Sequence, residues 1–234
     1  MSRLAQIIGN HIKKAQKEPN EHLIFSVNDS NMKHVYLLIR NLDTDETPEW
    51  KDGVFLAKLI LPDNFPTDPP KFMLLNENGV YAINTEAICI SIGHYHKEDG
   101  WRPVLGLAGF AREVANGMMH RQFLIEKGGL NLLDESPQQI AKHSKASYTT
   151  LMSKYPEIMN KLTSEFESYS KNWDLSKVDE RTKKRLAFGS ATFINELAAN
   201  SDSTASTSNS NTSTNGTDSA SETKKEETKE APAV

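Results

Sequence analysis

The chain has 234 residues, which is enough for one domain with a sizeable core plus extensions. Its net charge of -4 includes no basic excess, which excludes a general nucleic-acid-binding protein, because phosphate contacts need clustered lysine and arginine. The single cysteine excludes an internal disulfide framework and fits a reducing compartment. No segment approaches the roughly 20 apolar residues that span a bilayer, and the N-terminus lacks a signal peptide's apolar core. We therefore expect a soluble cytoplasmic protein with no integral membrane anchor.

The first half of the chain predicts one helix and four short strands. Residues 2–18 carry apolar side chains at helical spacing and stop before Pro19, so they predict an amphipathic helix. Short β-rich runs separated by Asn, Asp and Gly favour an antiparallel meander. The four runs are residues 22–27, 34–40, 53–61 and 71–75. A proline-rich connection, residues 61–70, joins the last two.

Helices are predicted to fill most of the second half. Residues 104–119 have the apolar pattern of a buried helix, although their three glycines weaken it. Pro137 and Pro156 each stand at the expected start of a helix, and the first of these runs to about Lys154. A further helix is predicted from Ser176 to about Ala198.

The last part of the chain differs in composition from the rest. Residues 200–234 are rich in Ser, Thr, Asn, Lys and Glu and contain no aromatic residue. Such a segment cannot bury enough apolar surface to offset its ordering entropy, so we predict disorder there. The predicted fold class is α+β, with an N-terminal helix, a four-stranded antiparallel sheet, C-terminal helices and a disordered tail.

Cys89 is the residue on which the functional prediction depends. It lies within residues 81–103, which show little regular periodicity and predict a loop held by the scaffold. A lone thiol is either a small buried hydrophobe or a working nucleophile, and the neighbouring motifs decide between these.

An ordered set of motifs surrounds this cysteine. It comprises Asp45-Glu46-Thr47-Pro48, Gly53-Val54-Phe55, the proline-rich connection, Asn84-Thr85, Cys89 and Trp101-Arg102-Pro103. In order and spacing, the set resembles the core of the ubiquitin-conjugating enzymes. The resemblance covers roughly residues 1–160. It implies a conjugating core over residues 1–160, a helical extension over 161–199 and the tail over 200–234.

One departure points to a subgroup of that family. Most members carry His-Pro-Asn shortly before the cysteine, whereas here Asn84 is the nearest asparagine. The arrangement resembles the tail-anchored enzymes of the endoplasmic reticulum, whose Asn-Thr precedes Cys-x-Ser, Tyr-His-Pro and a tryptophan. Ser91, Tyr95, His96 and Trp101 match this pattern, while Lys97 replaces the proline. The subgroup's hydrophobic anchor is missing, so we expect at most peripheral recruitment to the endoplasmic reticulum.

The resemblance implies a reaction in which Cys89 carries ubiquitin as a thioester, without a cofactor or a metal. Asn84 is the candidate for donating a hydrogen bond to the oxyanion or for positioning the loop. The alternative is that Asn84 is an ordinary turn residue. His96 is the candidate base for the acceptor, and the alternative is a loop histidine that packs locally.

Three further residues are candidates near the substrate. Ser91 belongs to the matching motif, and Trp101 is expected to brace the loop beside the cysteine. Glu126 is the candidate for an acidic environment that attracts an acceptor amine.

The resemblance also implies three partners, namely ubiquitin, the ubiquitin-activating enzyme and a RING-type ligase. Basic residues of the first helix are candidates for the activating enzyme. Two loops are candidates for the ligase, although Thr67 stands where many members have an aromatic anchor. The residues are Arg3, Lys13 and Lys14 on the helix, and Phe65, Pro66, Thr67, Arg102 and Pro103 in the loops.

Two alternatives remain open from the residues alone. One is a non-catalytic ubiquitin-binding scaffold of the same fold, although such variants lack the cysteine. The other is a Cys-His hydrolase that pairs Cys89 with His94, His96 or His120.

Overall fold

The computed structural model describes residues 3–98, 100–126, 129 and 131–187. An N-terminal helix precedes four strands that form one antiparallel sheet in the order β1-β2-β3-β4. This confirms the predicted helix and meander. The elements are α1 (Arg3–Lys17), β1 (Leu23–Val27), β2 (His34–Arg40), β3 (Val54–Ile60) and β4 (Lys71–Leu74).

The helices of the second half are α2 (Gly106–Met119), α3 (Arg121–Glu126), α4 (Pro137–Lys154), α5 (Pro156–Ser170) and α6 (Glu180–Ala187). Short 3-10 turns occupy Pro48–Trp50, His94–His96 and Pro103–Leu105. Helix α4 begins at the expected proline because Ser136 caps it, its Oγ accepting a hydrogen bond from the Gln139 N–H at 3.3 Å. The six-residue helix α3 was not predicted, since it is too short to show a periodic pattern.

Two helices begin later than predicted, each for a local reason. Gly106 has a φ of 57°, a left-handed conformation that separates the preceding 3-10 turn from α2. Asp179 accepts a hydrogen bond from the Thr182 N–H at 2.9 Å and so caps α6, four residues beyond the expected start. The rest of that predicted helix, after Ala187, and the predicted disordered tail lie outside the described residues.

Both faces of the sheet are buried. In the register of the strands, Phe25 pairs with Leu37, Leu37 with Ala57, and Ala57 with Leu74. All four belong to the core shared with α1 and α2. The alternate residues, such as Ile24, Leu38 and Leu56, belong to a second core with apolar residues of α4 and α5. Because successive side chains of a strand point to opposite faces, near-continuous apolar strands follow from this sandwich of helices.

The segment after β4 is tied to the sheet before it reaches Cys89. Ile83 forms a parallel bridge with Leu74, and Tyr81 forms an antiparallel bridge with Leu132. The first bridge holds the start of the cysteine-bearing loop against the end of β4, and the second joins it to the segment before α4. Within the part of the chain that the structure describes, no helix combines the length and apolar character needed to cross a membrane.

Candidate active site

Cys89 is held between two buried anchors. The flanking Ile88 and Ile90 are 4% and 2% exposed and belong to the core under α2, whereas Cys89 is partly exposed. The isoleucines bury apolar surface that would cost free energy to expose, which fixes the backbone on both sides of the thiol. The sequence pattern Ile-Cys-Ile therefore presents a thiol at the surface instead of adding a third buried residue.

The fold brings His96 to this thiol. Its Nε2 lies 3.0 Å from the Sγ of Cys89, within hydrogen-bonding distance. Of the three histidines considered from the sequence, His96 is the one for which this contact is seen. At this distance an imidazole can exchange a proton with the thiol or with a group that approaches it.

A tight return of the chain puts His96 in place. His96 ends the 3-10 turn, and its carbonyl accepts a hydrogen bond from the Gly100 N–H at 2.8 Å. A Cβ on Gly100 would lie 1.9 Å from the carbonyl oxygen of Ser91, so only glycine allows this approach. The loop therefore closes on itself beside the cysteine.

The thiol opens into a cleft of about 390 Å³. The cleft is mostly apolar on the side of α3, where the Phe123 side chain is 57% exposed. Its lining residues are Cys89, Ile90, Ser91, His96, Gly100, Phe123, Leu124 and Gly129. Such a cleft leaves room for a second reactant next to Cys89.

Asn84 stands where the chain turns from the Leu74 bridge toward Cys89. Its φ is 56°, and its backbone N–H donates a hydrogen bond to the Leu74 carbonyl at 2.9 Å. Asparagine is among the residues that tolerate the left-handed region best, so the geometry fits the turn alternative. Its side chain is exposed, and a role at the oxyanion stays a prediction.

Glu113 of α2 is hydrogen-bonded to a residue of the cleft wall, although it does not line the cleft itself. The Ser91 hydroxyl, on the cleft wall, donates a hydrogen bond to its Oε1 at 2.8 Å. The candidate from the sequence, Glu126, ends α3 and accepts a hydrogen bond from Gln122 at 3.5 Å, and it is not among the cleft-lining residues. No local motif marks Glu113, because its proximity arises only when α2 packs beside the loop.

Trp101 occupies a bracing position behind the cleft. It is 3% exposed, and its Nε1–H donates a hydrogen bond to the carbonyl of Pro66 at 3.0 Å. The indole therefore lies inside the fold, and it is not among the residues that line the cleft.

The candidate partner residues differ in their exposure. Phe65 is only 2% exposed, and its ring lies 4.9 Å from the His11 ring between centroids, so it supports the loop from inside. Pro66 is half-buried. The exposed candidates are Thr67, Arg102 and Pro103 in the loops and Arg3, Lys13 and Lys14 on α1.

The loop before Cys89 has a further contact that the sequence did not suggest. The amide Nδ2 of Asn131 donates a hydrogen bond to the carbonyl oxygen of Ala87 at 2.6 Å. The two residues are 44 positions apart, so only the fold could reveal the contact. In the described ranges no group of three His, Cys, Asp or Glu side chains could hold a metal ion.

Two similar proteins are described as ubiquitin-conjugating enzymes. No family model matches the chain. Ubiquitin-conjugating enzyme E2 32 of Arabidopsis thaliana is 34% identical over 93 residues, which cover 39% of this chain and 28% of that protein. Human ubiquitin-conjugating enzyme E2 J2 is 26% identical over 137 residues, or 57% of this chain and 49% of that protein. In these two proteins, the matched part is about half of the length or less.

The chain also has low overall similarity to a solved structure. The structure of human ubiquitin-conjugating enzyme E2 G1 matches 50% of this chain and 95% of that chain, with 24% identity and a TM-score of 0.41. The sequence relatives support the ubiquitin-conjugating enzyme family for this chain, at low identity.

Proposed function

We propose that this chain is an active ubiquitin-conjugating enzyme that accepts ubiquitin on Cys89 and transfers it to a lysine or hydroxyl acceptor. The observation that carries the proposal is the position of the only thiol. It is partly exposed in a cleft, 3.0 Å from the imidazole of His96, in a chain whose sequence relatives are ubiquitin-conjugating enzymes.

The first step of the proposed reaction is a thiol exchange. The Cys89 thiolate attacks the carbonyl carbon of the ubiquitin thioester on the activating enzyme, and the activating enzyme's thiolate leaves. One thioester bond forms while one breaks, so the step needs no cofactor. The partly exposed position of Cys89 gives the incoming thioester access.

In the second step an acceptor amine or hydroxyl enters the cleft and attacks the thioester carbonyl. His96 takes the proton of the acceptor on Nε2, and the tetrahedral intermediate collapses with loss of the Cys89 thiolate. The product is an amide or an ester of ubiquitin. Return of the proton from His96 to the solvent or to the thiolate restores the resting site.

The partner surfaces follow from the same proposal. The exposed basic residues of α1 serve the activating enzyme, and Thr67 with Arg102 and Pro103 serve a RING-type ligase. The order of Asn84, Cys89, Ser91 and His96 favours the subgroup that lacks the His-Pro-Asn motif. This resemblance is the reason for proposing hydroxyl acceptors in addition to lysine.

A charging assay tests the proposal. The chain is incubated with ubiquitin, activating enzyme and ATP, and the products are separated with and without reductant. We expect a reductant-labile adduct with the wild type and a more stable oxyester with Cys89→Ser. A wild type that forms no labile adduct contradicts the proposal.

The Cys89–His96 contact also favours a second candidate function, a Cys-His hydrolase. Such an enzyme would release a fluorescent amine from a C-terminal ubiquitin amide without activating enzyme or ATP. Turnover in that assay, lost in Cys89→Ala and in His96→Gln, would support the hydrolase instead. If neither assay shows chemistry but ubiquitin binds, the non-catalytic scaffold is the better description.

A further inference from the structure

The backbone of Ala87, two residues before Cys89, is held by a side chain at each of its two polar groups. Its N–H donates a hydrogen bond to the Oγ1 of Thr85 at 3.2 Å. Its carbonyl oxygen accepts the hydrogen bond from the Nδ2 of Asn131 at 2.6 Å. Ala87 lies outside the strands and helices, so these side chains provide partners that a regular element would otherwise supply.

The backbone around Asn131 is hydrogen-bonded to the segment that follows β4. Its carbonyl oxygen accepts a hydrogen bond from the Ala82 N–H at 3.0 Å, and the Leu133 N–H donates to the Val80 carbonyl at 2.7 Å. Between these bonds, Leu132 pairs with Tyr81. This short ladder joins the residues around Asn131 to the segment that leaves β4, and Tyr81 and Val80 are fully buried. The amide is therefore presented from a rigid support.

The backbone conformation at position 131 restricts which residue types can stand there. Its φ is 57°, in the left-handed region where asparagine, aspartate and glycine are favoured. Of these three, asparagine alone carries an N–H donor on its side chain. The position thus combines a backbone requirement with a donor requirement.

We propose that Asn131 is a positioning residue for Cys89, which rests on the proposed function and deepens it. The amide fixes the plane of the Ala87–Ile88 peptide group, and the buried Ile88 passes this constraint to Cys89. The Sγ of Cys89 is thereby kept facing His96 and the cleft. Asn131 does not touch the reacting atoms, and it acts through the loop.

Two variants remove the donor without a new steric demand. Asn131→Gly allows the left-handed φ and deletes the amide, whereas Asn131→Asp keeps the size but offers only acceptor oxygens. The matched control is Asn41→Gly. Asn41 has a φ of 55°, and its Nδ2 donates to the carbonyls of Glu21 at 2.7 Å and Arg185 at 2.8 Å. It shares the chemistry and the backbone conformation, but these two hydrogen bonds go to the segment before β1 and to α6.

The first measurement is amide hydrogen exchange of the full chain, which does not depend on ubiquitin. We expect exchange in a peptide covering residues 85–92 to rise several-fold in both Asn131 variants, with the sheet unchanged. The Asn41 variant should leave this peptide as in the wild type. Unchanged exchange in both Asn131 variants overturns the proposal.

The second measurement is single-turnover discharge of charged enzyme across a range of acceptor concentrations. We expect the maximal rate to fall about fivefold in both Asn131 variants, with the half-saturating acceptor concentration unchanged. Asn41→Gly should discharge as the wild type does. Faster exchange combined with a wild-type maximal rate overturns the catalytic part of the inference.

The two proposals fail in different ways. A wild type that never charges contradicts the proposed function, and the exchange measurement then still decides whether Asn131 holds the loop. A wild type that charges and discharges, with Asn131 variants equal to it, contradicts this inference alone.

Discussion

The indole of Trp101 donates its Nε1–H to the carbonyl oxygen of Pro66 at 3.0 Å. This hydrogen bond joins the segment after the Cys89 cleft to the proline-rich connection, 35 residues earlier in the chain. The ring also packs edge-to-face on Phe110 of α2, with 6.1 Å between centroids. Under the proposed function, the two loops expected to contact a ligase are therefore one mechanically linked surface.

Trp101→Phe should loosen that link while keeping a buried aromatic ring. Loss of the hydrogen bond should lower the free energy of unfolding by about 1 kcal/mol. Trp173→Phe is the matched control, since its Nε1–H donates to the Gln16 carbonyl at 2.9 Å, away from the cleft. Both variants should lose stability in denaturant titrations, but only Trp101→Phe should reduce ligase-stimulated discharge. Equal stimulation in the two variants would show that the link has no role in ligase response.

His96→Gln should separate the two proposed steps. Charging of Cys89 should stay within about twofold of the wild type, because no acceptor amine or hydroxyl has to lose a proton in that step. Discharge to free lysine or serine should slow on the order of 100-fold, the usual contribution of a general base. His94→Gln, in the same 3-10 turn, is the control, and we expect it to discharge normally. If both variants discharge at one rate, His96 is a packing residue.

The Ser91–Glu113 hydrogen bond predicts a preference between acceptors. Glu113 does not itself line the cleft, but its carboxylate lies directly behind the Ser91 hydroxyl of the cleft wall, and at that distance it favours an ammonium-bearing acceptor over a neutral hydroxyl. Glu113→Gln should therefore slow discharge to lysine about threefold more than discharge to serine, and added salt should shrink this difference. An equal effect on both acceptors would restrict Glu113 to holding the Ser91 hydroxyl.

Arg40 provides a test of the fold that is independent of catalysis. Its fully buried guanidinium lies 4.6 Å from the centroid of the Phe166 ring and donates to the Leu186 carbonyl through Nη1 and Nη2, each at 3.3 Å. Burial lowers the pKa of Arg40, because a desolvated charge is disfavoured. The hydrogen bonds to Leu186 therefore attach α6 to a buried, desolvated charged group.

Arg40 keeps its charge in the folded chain, because a guanidinium is not deprotonated in proteins. Arg40→Ala should lower the free energy of unfolding by about 3 kcal/mol, since it removes the two hydrogen bonds to Leu186 and the contact with Phe166. Denaturant titration measures this loss. An unchanged free energy of unfolding contradicts a packing role for Arg40.

Much of the architecture could be predicted because it depends on local patterns. The four strands and the helices beginning at Pro137 and Pro156 follow from periodicity, turn residues and proline positions. The late starts of α2 and α6 could not be predicted, since they depend on one backbone dihedral angle at Gly106 and one capping bond at Asp179.

The residues of the candidate site also fall into those that could be predicted from the sequence and those that could not. Cys89 could be singled out because it is the only thiol and stands in an ordered set of motifs. Glu113 and Asn131 could not, since each meets the loop through a contact 22 or 44 residues away along the chain. Glu126, the sequence candidate for an acidic environment near the acceptor, is hydrogen-bonded to Gln122 and is not among the cleft-lining residues, and its role stays a prediction.

The amino-acid sequence by itself determined the order of elements, the candidate nucleophile and the family resemblance, because each is written in short-range spacing and residue type. Only the tertiary structure decided that His96 faces the thiol, that Glu113 reaches Ser91 and that Asn131 holds Ala87. The Glu113 and Asn131 contacts depend on how α2 and the segment before α4 pack beside the loop, and the His96 contact depends on how the loop folds back on itself. Hydrogen bonds act over about 3 Å, so proximity between distant segments is decided by packing and is not encoded in any local pattern.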